Sequence, residues 1–208
     1  MRAVVYDRYG PPDVLRVEDV PMPSPAAGQV RVKVTATSVN LSDWEGLPGS
    51  PAYVRIGGLH RPAHRILGSD IAGVVEEVGA GVTRFRPGDR VYGDNLAMMG
   101  GFAEYALASQ AAMAHKPAGL TFAEASTIPQ AGAIALRGTQ RVVAGGRVLI
   151  NGAGGGSGTF AIQLAKRLGA HVTGVDNAAK QEFMRSVGAD DVVDYRRDDF
   201  TRTTPPTT

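Results

Sequence analysis

A glycine-rich loop is the segment of this sequence whose residue types most clearly suggest chemistry. It reads AGGGSG over residues 153–158 and lies between a predicted strand, Arg147–Asn151, and a predicted helix over 159–168. Residues without large side chains let backbone N–H groups approach a pyrophosphate at the positive end of a helix dipole. The pattern predicts a dinucleotide site, with a plain flexible turn as the alternative, formed by Asn151, Ala153, Gly154, Gly155, Gly156, Ser157 and Gly158.

Charged residues further along the chain bear on which dinucleotide would bind. Asp176 ends the next predicted strand, 21 residues after Gly155. A carboxylate at that place accepts hydrogen bonds from the ribose diol of NAD and repels the 2′-phosphate of NADP. Lys180, Arg196 and Arg197 follow and could offset that repulsion, although Lys180 is equally well explained as an exposed helix lysine. The choice between NAD and NADP therefore stays open.

The composition excludes several classes of protein. The chain has 208 residues, of which 43% are hydrophobic and 20% charged, as in ordinary globular proteins. It has no cysteine, which excludes a disulfide scaffold, a thiolate metal site and a cysteine nucleophile. The net charge is only +2, so we expect no nucleic-acid partner. The sequence has no signal-peptide pattern and no long apolar run, so we expect no membrane partner and a cytoplasmic location.

Two patterns of elements must position these residues. Up to residue 117, short β-rich runs separated by Gly and Pro predict a small barrel or sandwich, with strands at 3–6, 29–37, 71–78, 91–92 and 102–107. From residue 118, a Thr121/Glu124 capping box is followed by strands at 147–151, 171–175 and 191–195 that alternate with helices at 159–168 and 178–187. This βαβαβ order predicts a parallel sheet over 118–200 and an α/β fold overall.

Four segments also form a combined pattern. They are Ser38-Val39-Asn40 with Asp43, and the runs LGSDIAG at 67–73, RPGDRV at 86–91 and NGAGGGSG at 151–158. Together they resemble the zinc-independent medium-chain dehydrogenase/reductases of the quinone oxidoreductase, or zeta-crystallin, type. The resemblance covers residues 1 to about 202. It implies a GroES-like catalytic domain, a Rossmann cofactor domain, and hydride transfer between NAD(P)H and quinones, enals or other small carbonyl compounds.

The resemblance also bears on zinc. Zinc-dependent relatives place a Cys where this chain has Asn40, and a His-Glu pair where it has Ser69-Asp70. A catalytic zinc needs about three protein ligands of the Cys, His or carboxylate type. Only Asp70 is of that type, and the four-Cys lobe that holds structural zinc in such relatives has no counterpart. We therefore expect neither a catalytic nor a structural zinc.

Without zinc, other groups must act on the substrate. By the resemblance, Asn40 lies near the nicotinamide, where its amide could donate a hydrogen bond to the substrate carbonyl, and Asp43 belongs to the same motif. The Tyr53 hydroxyl is a candidate donor or proton source. The alternatives are that Asn40 and Asp43 are turn residues and that Tyr53 packs within a loop.

Two further features compare with the family. Lys180 and Tyr195 match, in spacing, the Lys and Tyr that hold the 2′-phosphate in members that use NADPH. In contrast, the run PQAGAI at 129–134 lacks the Thr that the family often places over the nicotinamide.

The last residues of the sequence affect how the function is interpreted. Residues 201–208 contain five Thr and two Pro, which predicts a disordered tail. The resemblance implies a nucleotide domain that continues further, so the expected fold is truncated at its C-terminal end. Three hypotheses follow: an NAD(P)-dependent oxidoreductase acting on a small molecule, a catalytically inactive dinucleotide-binding fragment, and a degraded product that misfolds. Self-association as a homo-oligomer is left open.

Overall fold

Residues 1–203 are described in the computed structural model, and they divide into two units. The first unit is Met1–Gln130, and the second begins at Ala131. The sequence predicted a domain boundary after residue 117, and that boundary stays a prediction. Helix α2 (Phe122–Ser126) belongs to the first unit because it lies against three of its strands. Gln130, the last residue of that unit, is tied to it as well, because its N–H donates to the Asp70 carboxylate at 3.0 Å.

Antiparallel strands build the first unit. Strands β1 (Arg2–Val5) and β2 (Arg16–Asp19) form one pair. The larger sheet has the order β6-β3-β4-β5-β7 and consists of β3 (Gln29–Ser38), β4 (Asp70–Val78), β5 (Arg90–Asp94), β6 (Tyr105–Ser109) and β7 (Met113–His115). Alternate residues of β3, such as Val30 and Val32, are fully buried in the core of this sheet, as the period-2 pattern predicts.

Several elements of the first unit differ from the prediction. Strand β6 begins at Tyr105 rather than at residue 102, because Phe102 accepts a hydrogen bond from Val4 and Ala103 forms a bridge with Ala3. Helix α1 (Leu41–Gly46) lies where turn residues were one of the alternatives, and a 3₁₀ turn lies just after it at Ala52–Arg55. Strands β2 and β7 were not predicted.

An alternating ring of four charges, Asp7, Arg16, Glu18 and Arg65, joins the β1–β2 pair to the segment before β4. Arg65 contacts Asp7 at 2.6 Å and Glu18 at 2.7 Å, and Arg16 contacts the same two carboxylates. The hydrogen bonds from the two arginines lower the pKa of Asp7 to about 2. We call these four residues the charge ring.

The second unit has the predicted βαβαβ order. It contains α3 (Pro129–Gly138), which starts at the end of the first unit, then β8 (Arg147–Asn151), α4 (Gly156–Arg167), β9 (His171–Asp176), α5 (Gln181–Ser186), β10 (Asp191–Asp194) and α6 (Phe200–Thr203). The three strands are parallel in the order β10-β9-β8. The core of this unit includes Ile162, Val172 and Met184, all fully buried.

Two helices of the second unit begin differently from the prediction. Helix α4 starts at Gly156, inside the glycine loop, and α5 is preceded by a 3₁₀ turn at Ala178–Lys180. Helix α6 includes residues 201–203, so these are helical rather than disordered; the rest of the predicted tail, 204–208, lies outside the described residues. Within residues 1–203, no helix is long and apolar enough to cross a membrane.

Charges of both signs line the amino ends of the parallel strands. The His171 ring contacts Asp191 at 2.6 Å, and Arg147 contacts the same carboxylate at 3.9 Å. Beside them, Lys166 pairs with Asp190 at 2.7 Å. This row lies at the end of the sheet opposite to the glycine loop.

Candidate functional site

The glycine loop is held by the carboxyl end of β9. The N–H groups of Gly152 and Ala153 both donate to the Val175 carbonyl, at 2.9 and 3.1 Å, and the N–H of Gly155 turns back to the Gly152 carbonyl at 3.0 Å. Gly152 has φ +75°, a conformation that side chains disfavour. Asn151 ends β8 beside this turn and is exposed. The loop is therefore a fixed turn between a strand and a helix, which argues against a plain flexible connection.

The start of α4 offers unused hydrogen-bond donors. Within the described residues, the N–H groups of Gly156, Ser157 and Gly158 donate to no acceptor, as is usual for the first turn of a helix. Helix α4 has twelve residues, so its dipole adds positive potential at this point. Donors and potential together fit a pyrophosphate group.

Two glycines of the loop also leave no room for a side chain. A Cβ atom at Gly158 would lie 2.3 Å from the Gly152 carbonyl oxygen, and one at Gly154 would lie 2.5 Å from Cδ of Lys180. Gly158 thus allows α4 to approach the loop closely. The absence of a side chain at Gly154 leaves the space that the Lys180 side chain occupies beside the loop.

Asp176 is buried at the end of β9 and is already surrounded by donors. Its Oδ2 accepts from the N–H of Gly154 at 3.1 Å and lies 3.5 Å from Nζ of Lys180, while its Oδ1 accepts from the backbone and side-chain nitrogens of Asn177 at 2.8 and 2.9 Å. The carboxylate therefore helps to hold the loop. Its charge faces the Lys180 ammonium directly.

Two basic side chains and a tyrosine meet next to Asp176. The N–H of Tyr195 donates to the Asp176 carbonyl at 3.3 Å, and the Arg196 guanidinium lies 5.8 Å from the centre of the Tyr195 ring. Tyr195 is 49% exposed. Lys180 contacts the Asp176 carboxylate, and Tyr195 follows it through a backbone contact with Arg196 over its ring.

In the first unit, Asn40 and Asp43 lie at the start of α1. Asp43 accepts from the N–H of Asn40 at 2.9 Å and from the N–H of Gly68 at 2.8 Å, so it ties the start of the helix to the segment before β4. It is 3% exposed, and this burial raises the pKa of its carboxyl above the ordinary value despite the backbone donors. Asp43 is thus a buried link between two segments.

Asn40 belongs to a polar network with Ser42, Ser69 and Gln130. Nδ2 of Asn40 donates to Oγ of Ser69 at 3.1 Å, and Nε2 of Gln130 approaches the same oxygen at 3.5 Å. Oγ of Ser42 lies 3.4 Å from Oγ of Ser69 and donates to Oε1 of Gln130 at 3.2 Å. We call these four residues the amide–hydroxyl network.

Asp70 follows Ser69 in the chain, contacts the network through Gln130, and is fully buried. Its carboxylate accepts from the N–H of Gln130 at 3.0 Å and from Oγ of Ser38 at 3.4 Å. Burial is the main cause that raises its pKa to about 6. The three positions compared above with zinc ligands, Asn40, Ser69 and Asp70, therefore do meet.

Tyr53 is not joined to this network in the described structure. It lies in the 3₁₀ turn, is 60% exposed, and its hydroxyl donates to Glu45 of α1 at 2.8 Å. That hydrogen bond is the main cause that raises the pKa of Tyr53, which makes it a poorer proton source in this arrangement.

Comparison with known proteins agrees with this geometry. A family model described as the alcohol dehydrogenase GroES-like domain matches residues 26–118, and one described as zinc-binding dehydrogenase matches residues 156–204. The chain belongs to the medium-chain dehydrogenase/reductase family. Family membership confirms the predicted GroES-like domain and α/β fold.

Similar members of the family are oxidoreductases. A chloroplastic quinone oxidoreductase of Triphysaria versicolor is 37% identical over 94% of this chain, and a mitochondrial NAD(P)H oxidoreductase of Homo sapiens is 38% identical over 94%. The chain spans 61% and 54%, respectively, of the lengths of these two proteins.

Solved structures of family members also resemble the chain. The quinone oxidoreductase of Coxiella burnetii has a TM-score of 0.89 at 33% identity and matches 100% of this chain and 66% of its own. The Escherichia coli quinone oxidoreductase complexed with NADPH has a TM-score of 0.84 at 26% identity, over 96% of this chain and 60% of its own.

The sequence analysis did not predict that Ser42 and Gln130 belong to the amide–hydroxyl network. It considered Ser69 and Asp70 only as possible metal ligands. Ser42 lies two residues after Asn40, and Gln130 is a buried polar residue at the start of an Ala-rich helix. A polar residue in such a helix needs a partner when it is buried. This requirement could have identified Gln130 from the sequence as a residue with a polar partner in the core.

Proposed function

We propose that this chain is an NAD(P)H-dependent oxidoreductase that exchanges hydride between the nicotinamide cofactor and a small quinone, enal or other carbonyl compound. The observation that carries the proposal is the start of α4, where the three unused N–H groups could bind a pyrophosphate and Gly158 allows the helix to approach the loop closely. The names of similar proteins support the same activity.

The cofactor supplies the hydride when it is bound, and the residues of the chain hold it. The N–H groups of Gly156, Ser157 and Gly158 would bind the pyrophosphate, with Asn151, Ala153, Gly154 and Gly155 shaping the turn. Asp176 would hold the loop and limit the space for the adenosine ribose. Lys180 and Tyr195 would face the 2′ position.

Among the two cofactors, we infer a preference for NADPH. The oxygens of Asp176 already accept hydrogen bonds from the backbone, from Asn177 and from Lys180, so fewer acceptor positions remain for the ribose diol of NADH. Its negative charge is opposed by Lys180, and Arg196 lies over the ring of Tyr195, whose backbone contacts Asp176. Because the Lys180 ammonium offsets the Asp176 carboxylate and can itself donate to a phosphate, we infer that a 2′-phosphate is favoured at this position.

Replacing Lys180 tests this preference. Lys180→Ala removes one partly exposed charge contact, worth about 1 kcal/mol, so NADPH affinity should fall about fivefold. NADH affinity should change little, because it has no 2′-phosphate. Titration of both cofactors by fluorescence measures the two values. Arg167→Ala, which removes an equal charge at the far end of α4, is the control and should leave both affinities unchanged; tighter NADH binding by the unmutated chain would contradict the inference.

On the substrate side, we propose that Asn40 contacts the substrate, that Asp43 holds α1 in place, and that Tyr53 lies at the outer part of the site. We also propose that the reaction uses no zinc, because the Asn40 amide and the Ser69 hydroxyl are poor zinc ligands and are bonded to each other. A cytoplasmic location and a homo-oligomeric state remain predictions.

Turnover is the direct test of the proposed function. NADPH oxidation by the purified chain with a small quinone, with and without a chelator, should reach roughly 1 s⁻¹ or more, as in ordinary enzymes. The rate should not depend on the chelator. Cofactor binding without turnover would support the binding-only alternative, and the absence of both would show that the proposal is wrong.

A further inference from the structure

A pocket of about 720 Å³ lies in the first unit beside the charge ring, three of whose members line it. The other lining residues that carry a charge or a ring nitrogen are Arg8, Asp13, His60 and Arg61. The volume falls within the range of small-molecule sites, roughly 300–1,000 Å³. Among the described residues that line this pocket, none belongs to the glycine loop or to the amide–hydroxyl network. Its lining is therefore distinct from both parts of the candidate functional site.

The loop that carries Arg61 is tied to the segment that follows β1. The Tyr9 hydroxyl donates to the Gly58 carbonyl at 2.6 Å, and the N–H of Tyr6 donates to the Arg65 carbonyl at 3.0 Å. Between these two anchors the loop folds closely on itself, since a Cβ atom at Gly58 would lie 2.3 Å from the Arg61 carbonyl oxygen. The loop is therefore held at the edge of the pocket.

The arginines of the pocket differ in whether they already have partners. Arg16 and Arg65 are paired within the charge ring, which is neutral as a group. Within residues 1–203, the exposed guanidinium groups of Arg8 and Arg61 make no ion pair and no hydrogen bond, and Asp13 is the one lining carboxylate without an ion pair. Two positive groups thus remain against one negative group, which leaves the pocket with positive charge for an anion.

These unpaired donors fit a phosphate better than a carboxylate. A phosphate monoester carries close to two negative charges and three acceptor oxygens. Each guanidinium group presents its N–H groups as a fork that matches phosphate oxygens, and a ring nitrogen of His60 is a further donor. A carboxylate brings only one negative charge to the two guanidinium groups. Val14 and Pro62 add apolar surface to the pocket, which suits an organic group on the phosphate.

We propose that this pocket binds a small organic phosphate monoester, whose phosphate group is held by Arg8, His60 and Arg61. The Asp7 carboxylate does not repel the ligand strongly, because Arg16 and Arg65 of the charge ring already pair with it. The site goes beyond the proposed function and does not depend on it.

Amide NMR locates the ligand without any need for activity. The probe is phenyl phosphate, and benzoate, which carries the same ring on a carboxylate, is the matched comparison. Phenyl phosphate should shift the backbone amide signals of Arg8, His60 and Arg61 until they saturate, and benzoate should bind more weakly. Inorganic phosphate should shift the same signals with lower affinity, because it lacks the ring. Shifts confined to the glycine loop, or benzoate binding as tight as that of phenyl phosphate, would overturn the proposal.

Substitutions test which charges hold the phosphate. Arg8→Gln and Arg61→Gln each remove one exposed charge contact, so each should weaken phenyl phosphate binding about fivefold. Asp13→Asn removes the opposing charge and should strengthen it. Arg86→Gln is the matched control, because Arg86 is an exposed arginine of the same unit that does not line the pocket, and it should leave the affinity unchanged.

The outcomes of this site and of the proposed function are separable. Equal affinities for phenyl phosphate in Arg8→Gln, Arg61→Gln and Arg86→Gln would show that the two arginines do not hold the phosphate, and the proposal would be wrong. Failure of NADPH binding or of turnover would count against the proposed function alone, since the titration with phenyl phosphate requires neither.

Discussion

At Gly158 the lack of a side chain is a requirement of packing. The residue lies in the first turn of α4, where any side chain fits the backbone conformation, but a Cβ atom would meet the Gly152 carbonyl oxygen at 2.3 Å. Backbone atoms cannot move aside as a flexible side chain can. A side chain at residue 158 would therefore force either α4 or the glycine loop to move.

We expect Gly158→Ala to destabilise the chain by about 1–3 kcal/mol, as overpacking does. It should also weaken dinucleotide binding, because α4 would move away from the loop. Gly138→Ala, at the end of α3, is the control: nothing lies within 4 Å of its Cβ position, so the substitution should be neutral or stabilise by up to about 1 kcal/mol. Urea denaturation of both variants measures the difference, and equal stabilities would contradict the packing argument.

The two candidate sites differed in how far the sequence alone could predict them. The glycine loop is a local signal, because small residues between an apolar strand and a helix have few other uses. The amide–hydroxyl network is not local. Ser42, Ser69 and Gln130 come from three segments far apart in the chain, and only the folded first unit brings them together.

Among the elements, the short strand β2 depends on the charge ring. It has four residues, of which three are exposed, and it belongs to a two-stranded sheet. A pair of strands alone is only marginally stable. Arg16 and Glu18 are two residues apart on β2 and lie on the same face, so their contacts with Asp7 and Arg65 hold that face of the pair to neighbouring segments.

Arg65→Gln should lower the melting temperature at low salt, because Asp7 and Glu18 each lose a partner. The difference from the unmutated chain should shrink as salt is raised, since exposed ion pairs are screened. Arg86→Gln is the control, because within residues 1–203 the Arg86 guanidinium makes a single ion pair, a long one of 3.7 Å with Asp89. Melting curves at two salt concentrations measure both effects; a salt-independent loss would point to packing rather than charge.

Length and periodicity explain which elements were predictable. Strands β3 and β8 have clear patterns of apolar residues and were placed within a residue of their ends. Strands β2 and β7 have four and three residues, too few for a periodic signal. Helix α1 has six residues, and its start depends on the tertiary contact between Asp43 and Gly68.

At the scale of the whole molecule, buried and paired carboxylates give opposite pH dependences. Asp7, with its pKa lowered to about 2, adds stability above its unfolded pKa, and this is lost as the pH falls toward 2. Asp70, with its pKa raised to about 6, behaves in the opposite way. Its contribution is fully present below the unfolded value of about 4 and is lost as the pH rises through 6.

The stability of Asp70→Asn relative to the unmutated chain should therefore increase between pH 4 and pH 7. A shift of about two pKa units corresponds to a change of up to roughly 2–3 kcal/mol. Urea denaturation across this range measures the change. Asp94→Asn should show a smaller dependence, because its charge acts on Asp70 only from a distance. A flat difference for Asp70→Asn would mean that Asp70 is solvated enough to ionise normally.

The row of charges at the amino ends of β8, β9 and β10 suggests a practical use. The strands separate this row from the glycine loop by about 16 Å, given five residues at roughly 3.3 Å each. Because the sequence contains no cysteine, one cysteine introduced beside Arg147 would be the unique thiol for attaching a dye or a surface linker. Such a handle would report dinucleotide binding from the far side of the sheet, and the protein could serve as an optical biosensor for reduced cofactor.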